Sequence, residues 1–383
     1  MNDTIHAATR RFPLLGRPRP ACPALPHRIQ EVTDAVATAE HKPEHGLTDA
    51  AHALNKAALI ASDCGMPDLA ERICWQHIHA YRRLDRPLTV LEARYVLEPV
   101  LNLARLQIRA DQGTTAVHLL ETMYHAVTRR EDLTIGDHVL PTADLTGEQH
   151  ERRQLHEWVW LQLISEGVRA LAGRWQAAAE HARTHNGIGV HLMEGRQAAI
   201  IAACLHDELS QARKLLTDST PTEPWELEVA ACLNLMCTRP GGANNERHLE
   251  TALVHYRARG PMPGYASYRA RLGLTIVTLS SHVRVDTAAA LLRQVADEAI
   301  ASLDGYAARD VLGSLEPTNR ITDRQHAQLT AIATESGLGQ PLPDPAKRQV
   351  VCATARAEAV LDAALKGAPA RSRPDGCGAV ASR

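Results

Sequence analysis

From about residue 46 to residue 366 the chain repeats one pattern: apolar positions at helical spacing, a short break carrying Gly or Asp, then a second helical run. The first pair spans 48–63 and 68–83, broken at Cys64-Gly65-Met66-Pro67. Pro67 and Asp68 are start signals, because proline lacks the N–H that a first helical turn leaves unsatisfied and Asp accepts a hydrogen bond there. In the second run Leu69 and Ile73, with Ala70, Cys74 and Ile78 alongside, make one apolar stripe. Further pairs are predicted at 88–110 with 114–130, 148–172 with 175–184, and 190–206 with 208–217. Then come 225–237 with 246–259, separated by the turn-rich 239–242, and 265–283 with 287–303. Shorter helices at 307–315 and 323–335 precede a final one at 346–366. Pro99 lies inside the 88–110 run and predicts either a kink or a helix that ends near Leu97 and restarts.

The periodicity fails in three places. Residues 1–45 mix Pro, Arg, His and Ala, and Arg17-Pro18-Arg19-Pro20 and Pro23 exclude an early helix, so a flexible N-terminal segment with one short helix over 28–40 is expected. Residues 131–147 form an irregular insertion within the helical region 46–366, and 367–383 have the composition of a disordered tail. No run of β-branched residues alternates with polar ones, so the expected class is all-α.

Composition supports that class. The chain has 383 residues, 45% of them hydrophobic, yet aromatics make up only 3% and Phe12 is the single phenylalanine, so the core must be Leu, Ala, Ile and Val. A net charge of −2 provides no whole-chain attraction to nucleic acid or an anionic membrane. The N-terminus has no continuous apolar stretch of the secretory kind, and the uncharged runs 198–205 and 273–283 fall short of the ~20 residues a spanning helix needs. Eight cysteines without a C-x-x-C pair read as buried free thiols. These features predict a cytoplasmic protein with no membrane contact. Only five of the 42 basic residues are lysine, the usage of a GC-rich bacterial genome.

The turns align with one another. In Cys64-Gly65-Met66-Pro67-Asp68-Leu69-Ala70 and in Ala172-Gly173-Arg174-Trp175-Gln176-Ala177-Ala178 a glycine precedes an alanine by five residues, and Asp111 to Ala116 and Asp207 to Ala212 keep that spacing. Together they resemble degenerate tetratricopeptide repeats, whose units are a helix, a tight turn and a helix with small residues at the crossing. The resemblance covers about residues 47–303, and Gly173-Arg174-Trp175 carries its best match. Successive turns at 65, 111, 173 and 207 lie 46, 62 and 34 residues apart, against a family period of ~34. It implies an α-solenoid of antiparallel helix pairs, a superhelix whose concave groove, lined by first helices, takes an extended peptide or a partner protein.

Helical geometry then places side chains in that groove: His52, Asn55 and Lys56 on the first unit, the stripe Glu98, Asn102, Arg105 and Arg109 on the second, and Glu194 and Gln197 on the fourth. In the related repeats, asparagine amides hold a peptide backbone and basic side chains hold its carboxylates. The bland alternative is that Asn55 and Asn102 cross-link neighbouring helices and the arginines form a solvated face.

Catalytic signatures are missing: no phosphate-binding loop, no dinucleotide fingerprint, no nucleophile elbow. His156-Glu157 begins like a zinc-protease helix, but Trp160 stands where the second ligand belongs. The metal candidates are His181 and His185, one helical turn apart, with a third ligand from His191 or Glu194. Arg10, Arg11, Arg17 and Arg19 could meet phosphates, but the chain offers no recognition helix and no interleaved aromatics, which argues against nucleic acid. The expectation is a non-enzymatic adaptor or regulator that binds a peptide or protein and needs no cofactor. Its alternatives are an accessory enzyme using the His181–Glu194 region and a ligand-sensing transcriptional regulator acting through another chain.

Overall fold

The computed structural model describes residues 2–42, 45–238, 244–281, 284–315 and 321–367. Within them the chain is all-α apart from one hairpin. The N-terminal half contains α1 (Asn2–Thr9), α2 (Leu25–His41), α3 (Gly46–Asp63), α4 (Pro67–Arg82), α5 (Val90–Arg109), α6 (Gly113–Arg129), β1 (Leu133–Ile135), β2 (His138–Leu140), α7 (Gln149–Ala170) and α8 (Trp175–Thr184). The remainder comprises α9 (Glu194–Leu205), α10 (Leu209–Thr217), α11 (Pro224–Met236), α12 (Asn245–Ala258), α13 (Ala266–Ser280), α14 (Val285–Ser302), α15 (Gly305–Leu312), α16 (Asp323–Glu335) and α17 (Asp344–Gly367). Residues 239–242, 283 and 368–383, to which the sequence assigned a turn, a helix end and a tail, lie outside the described residues.

The four aligned turns share one geometry. Gly65, Asp111, Gly173 and Asp207 all take left-handed φ, between 59° and 91°, which reverses the chain within a few residues. Five residues on, Ala70, Ala116, Ala178 and Ala212 are each at most 1% exposed. A side chain no larger than a methyl group lets the second helix lie close against its neighbours. Consecutive helices pack on one another from α2 to α16, as short turns require.

Other details depart from expectation. The helix α5 is continuous through Pro99, so of the two expected outcomes the break near Leu97 does not occur. It starts at a reciprocal cap, in which Thr89 Oγ1 accepts from Glu92 N at 3.2 Å and the Glu92 carboxylate accepts from Thr89 N at 2.8 Å. The 131–147 segment, expected to be irregular, holds the antiparallel hairpin β1–β2, with Leu133 opposite Leu140 and both fully buried. Gly136 (φ 57°) supplies its turn, and Thr146 bridges to Thr89, tying the insertion to the start of α5.

The largest departure is at the N-terminus. Residues 2–42, the described part of the expected lead-in, are not a flexible segment: α1 packs on α13 and α9, and Phe12, Leu14 and Leu15 are at most 5% exposed in the core built by α8 to α16. Three large apolar side chains within four residues supply enough buried surface to offset the entropy of ordering the segment. A second core joins α2 to α7 with α17, and Val117 packs against both. The chain also returns to its start, because α17 packs on α2, α3 and α4. Six cysteines are buried free thiols and Cys352 is exposed, while Cys377 lies outside the described residues.

Candidate functional site: a cationic hollow

Inside this arrangement lies a cavity of about 1620 Å³, bounded by the 7–23 segment and by residues from α2, α3, α5, α7, α13 and α15. Proline holds part of its wall extended. Across Arg17-Pro18-Arg19-Pro20 the backbone cannot enter a helix, and Arg19 N donates to Gly264 O at 2.8 Å. Further along, Gln197 grips Leu14 like a paired strand: its Oε1 accepts from Leu14 N at 2.8 Å and its Nε2 donates to Leu14 O at 2.7 Å.

Of the nine residues the sequence placed in a groove, Lys56, Arg105, Arg109 and Glu194 border the cavity. His52 is exposed, with its ring edge-on to Tyr95 at 6.1 Å, and lies outside the lining. Asn55, Glu98 and Asn102 join α3 to α5: Asn55 Nδ2 donates to Glu98 Oε2 at 2.7 Å, and Asn102 Nδ2 donates to Asn55 Oδ1 at 3.1 Å. Burial raises the Glu98 carboxyl above its ordinary range, against the pull of His52, Arg94, Arg105 and the Asn55 amide. Gln197, expected at the binding surface, is fully buried beneath the N-terminal segment. Its position at the end of a polar run points to the surface, whereas the chain that covers it lies 183 residues away.

The remaining polar groups set the sign of the cavity. Its lining carries eleven arginine and lysine side chains against five carboxylates. Several cations are internally matched. Glu166, 3% exposed, accepts from Arg105 Nη2 at 2.7 Å and from Arg169 Nη1 at 3.2 Å. Burial opposes that carboxylate, but Arg105, Arg169 and Arg19 hold it below its usual range. Glu194 accepts from Ser165 at 2.6 Å and lies 3.7 Å from Arg17 Nη2. Asp63 accepts from Arg28, Arg109 and Tyr306.

Arg19 differs: its guanidinium forms none of the ion pairs or side-chain hydrogen bonds seen among the described residues. Burial, followed by the charges of Arg169 and Arg271, pushes it down to about 10, and it stays protonated at neutral pH. Arg271 is also pushed down, first by burial and then by Arg169 and Arg309, against Asp310. Guanidinium groups crowded in a partly desolvated hollow repel one another, and that repulsion is relieved by an anion. The chain matches no family model, no curated protein and no solved structure. In the sequence Arg17 and Arg19 stand out only as isolated phosphate contacts, and Arg169, Arg271 and Arg309 carry no local signal because α7, α13 and α15 meet only in the folded chain.

The metal candidates separate. His191 lies 3.6 Å from Glu226, and Glu194 faces Ser165 and Arg17, so neither joins the other two. His181 and His185 instead meet Glu121 of α6: His181 Nδ1 lies 3.7 Å and His185 Nε2 lies 3.3 Å from Glu121 Oε1. His181 Nε2 is 3.1 Å from Leu163 O, and burial holds that imidazole below its ordinary range despite the carbonyl and Glu121. A Cβ on Gly167 would lie 2.2 Å from His181 Nε2, so only glycine lets the ring seat against α7.

Proposed function

We propose that the chain is a non-enzymatic binding protein of tetratricopeptide-like helix pairs, an adaptor or regulator whose central hollow takes an extended acidic segment of a partner polypeptide. The observation that carries this reading is the excess of guanidinium groups lining the hollow, with Arg19, which feels Glu166 and Glu194 only at a distance, in no ion pair or side-chain hydrogen bond seen among the described residues. Size supports a chain rather than a small metabolite, since about 1620 Å³ exceeds the ~300–1,000 Å³ of ordinary small-molecule pockets. The hollow also already accommodates extended backbone, its own 17–20 stretch. Left-handed turns followed by buried alanines at 65, 111, 173 and 207 support the repeat reading.

The test is a titration with a fluorescent hexaglutamate peptide. Wild-type protein should bind it saturably and more weakly as salt rises. Arg19→Ser should weaken binding about tenfold or more, because a charge-assisted hydrogen bond contributes ~1.5–3 kcal/mol, while leaving the urea midpoint in place. Equal binding by Arg19→Ser, or none by wild type, would remove this reading.

A further inference from the structure

We propose that Glu121, His181 and His185 form a divalent transition-metal site, for zinc or a metal of similar preference, separate from the cationic hollow and independent of its proposed role. The three ligand atoms lie within 4.8 Å of one another. They come from two elements: His181 and His185 sit one turn apart at the end of α8, and Glu121 projects from α6.

Three features distinguish this grouping from a chance encounter. The first is separation. A tetrahedral ion with ligands at 2.0–2.2 Å sets its donors about 3.4 Å apart. The two Glu121 contacts, at 3.3 and 3.7 Å, bracket that edge, and the longer one exceeds hydrogen-bond range. The second is the direction of the lone pairs. His181 Nε2 donates to Leu163 O, so in the neutral ring Nδ1 carries a lone pair, and it faces a carboxylate oxygen. A lone pair facing a carboxylate oxygen is repulsive unless a metal ion or a proton lies between them, and only His185 Nε2, 3.3 Å from Glu121 Oε1, is within hydrogen-bond range. The third is support around the ring. A backbone carbonyl fixes the His181 tautomer, as outer partners do for metal-bound histidines, and Gly167 leaves the space the imidazole occupies. Two imidazoles and a carboxylate suit zinc, cobalt(II) or nickel(II) rather than calcium or magnesium. His185 also borders a depression lined by Tyr124 and His156, which opens one ligand of the set to solvent.

The experiment uses full-length protein without an affinity tag, stripped with a chelator and titrated with zinc by calorimetry and with cobalt(II) by visible absorption. Wild type is expected to take up one equivalent of zinc and to develop the cobalt bands of a four-coordinate site. Glu121→Gln and His185→Ala should each weaken zinc binding at least tenfold, the loss typical when one ligand of a small set is removed. His191→Ala should match wild type, which separates this set from other histidines. Circular dichroism confirms that each variant is folded, and Glu121→Gln, a near-isosteric change on a partly exposed residue, keeps the test open if His185→Ala unfolds. Absence of stoichiometric zinc in wild type, or undiminished binding by folded Glu121→Gln and His185→Ala, would overturn the proposal.

Discussion

Asp63→Ala is expected to destabilise the protein by ~3–5 kcal/mol, the largest loss from a single polar side chain, read as a drop in the urea midpoint. Asp63 ends α3 with its carboxylate 1% exposed, and its oxygens gather partners from three other helices: Arg28 of α2, Arg109 of α5 and Tyr306 of α15. The magnitude depends mainly on Arg28. Its side chain is 7% exposed, and its one other acceptor is Ser336 O at 3.2 Å, so removing Asp63 strands a buried charge. Arg109, 44% exposed, contributes far less because water screens it. Tyr306→Phe, which deletes one hydrogen bond and leaves the ion pairs, should cost only about 1 kcal/mol. The same node joins the chain's distant parts: Gly339 N donates to Asp63 O at 2.7 Å, and Gly305 N donates to Cys22 O at 2.8 Å. A cost for Asp63→Ala no greater than that for Tyr306→Phe would show that this junction does not hold the two halves together.

The second large effect is expected at the N-terminus. Phe12→Ala should cost ~3–5 kcal/mol and Leu14→Ala ~2–5 kcal/mol by leaving cavities in the α8 to α16 core, where both side chains are 1% exposed. Gln197→Leu should also be costly, since it leaves the buried N–H and C=O of Leu14 and the carbonyl of Leu192 without their partner. A truly flexible lead-in would tolerate Phe12→Ala and Leu14→Ala within about 0.5 kcal/mol. Denaturant unfolding of the two variants distinguishes these outcomes. Removal of residues 1–16 should expose Trp225 and its neighbours, because Gly16 packs close enough that a Cβ there would lie 2.2 Å from Trp225 Cβ.

These two sites show what the sequence could reveal. Helix positions were legible because local periodicity, start signals and turn residues lie within one turn of the residues they govern; α4 and α17 fall within two residues of expectation. Residues 131–147 were misread because three-residue strands are too short to show alternation, although Leu133 and Leu140 carry the hairpin's burial. The N-terminal segment was misread for a different reason: its arginines and prolines dominate its composition, and nothing local indicates that Phe12, Leu14 and Leu15 will find a core some 180 residues downstream. The candidate site was legible only in part. Arg105 and Arg109 follow from helical spacing, whereas the company of Arg19, Arg169 and Arg271 depends on contacts between distant helices. Likewise, the His181–His185 pair was visible at its i,i+4 spacing, but its third member, Glu121, comes from a helix 60 residues earlier.

Where an acidic chain settles can be measured directly by hydrogen–deuterium exchange of the full-length protein with and without saturating hexaglutamate. The account predicts added protection in peptides covering residues 10–23, 160–170 and 264–271, with α10 and α12 unchanged. Protection confined to the outer helices, or no change around Arg19, would contradict it.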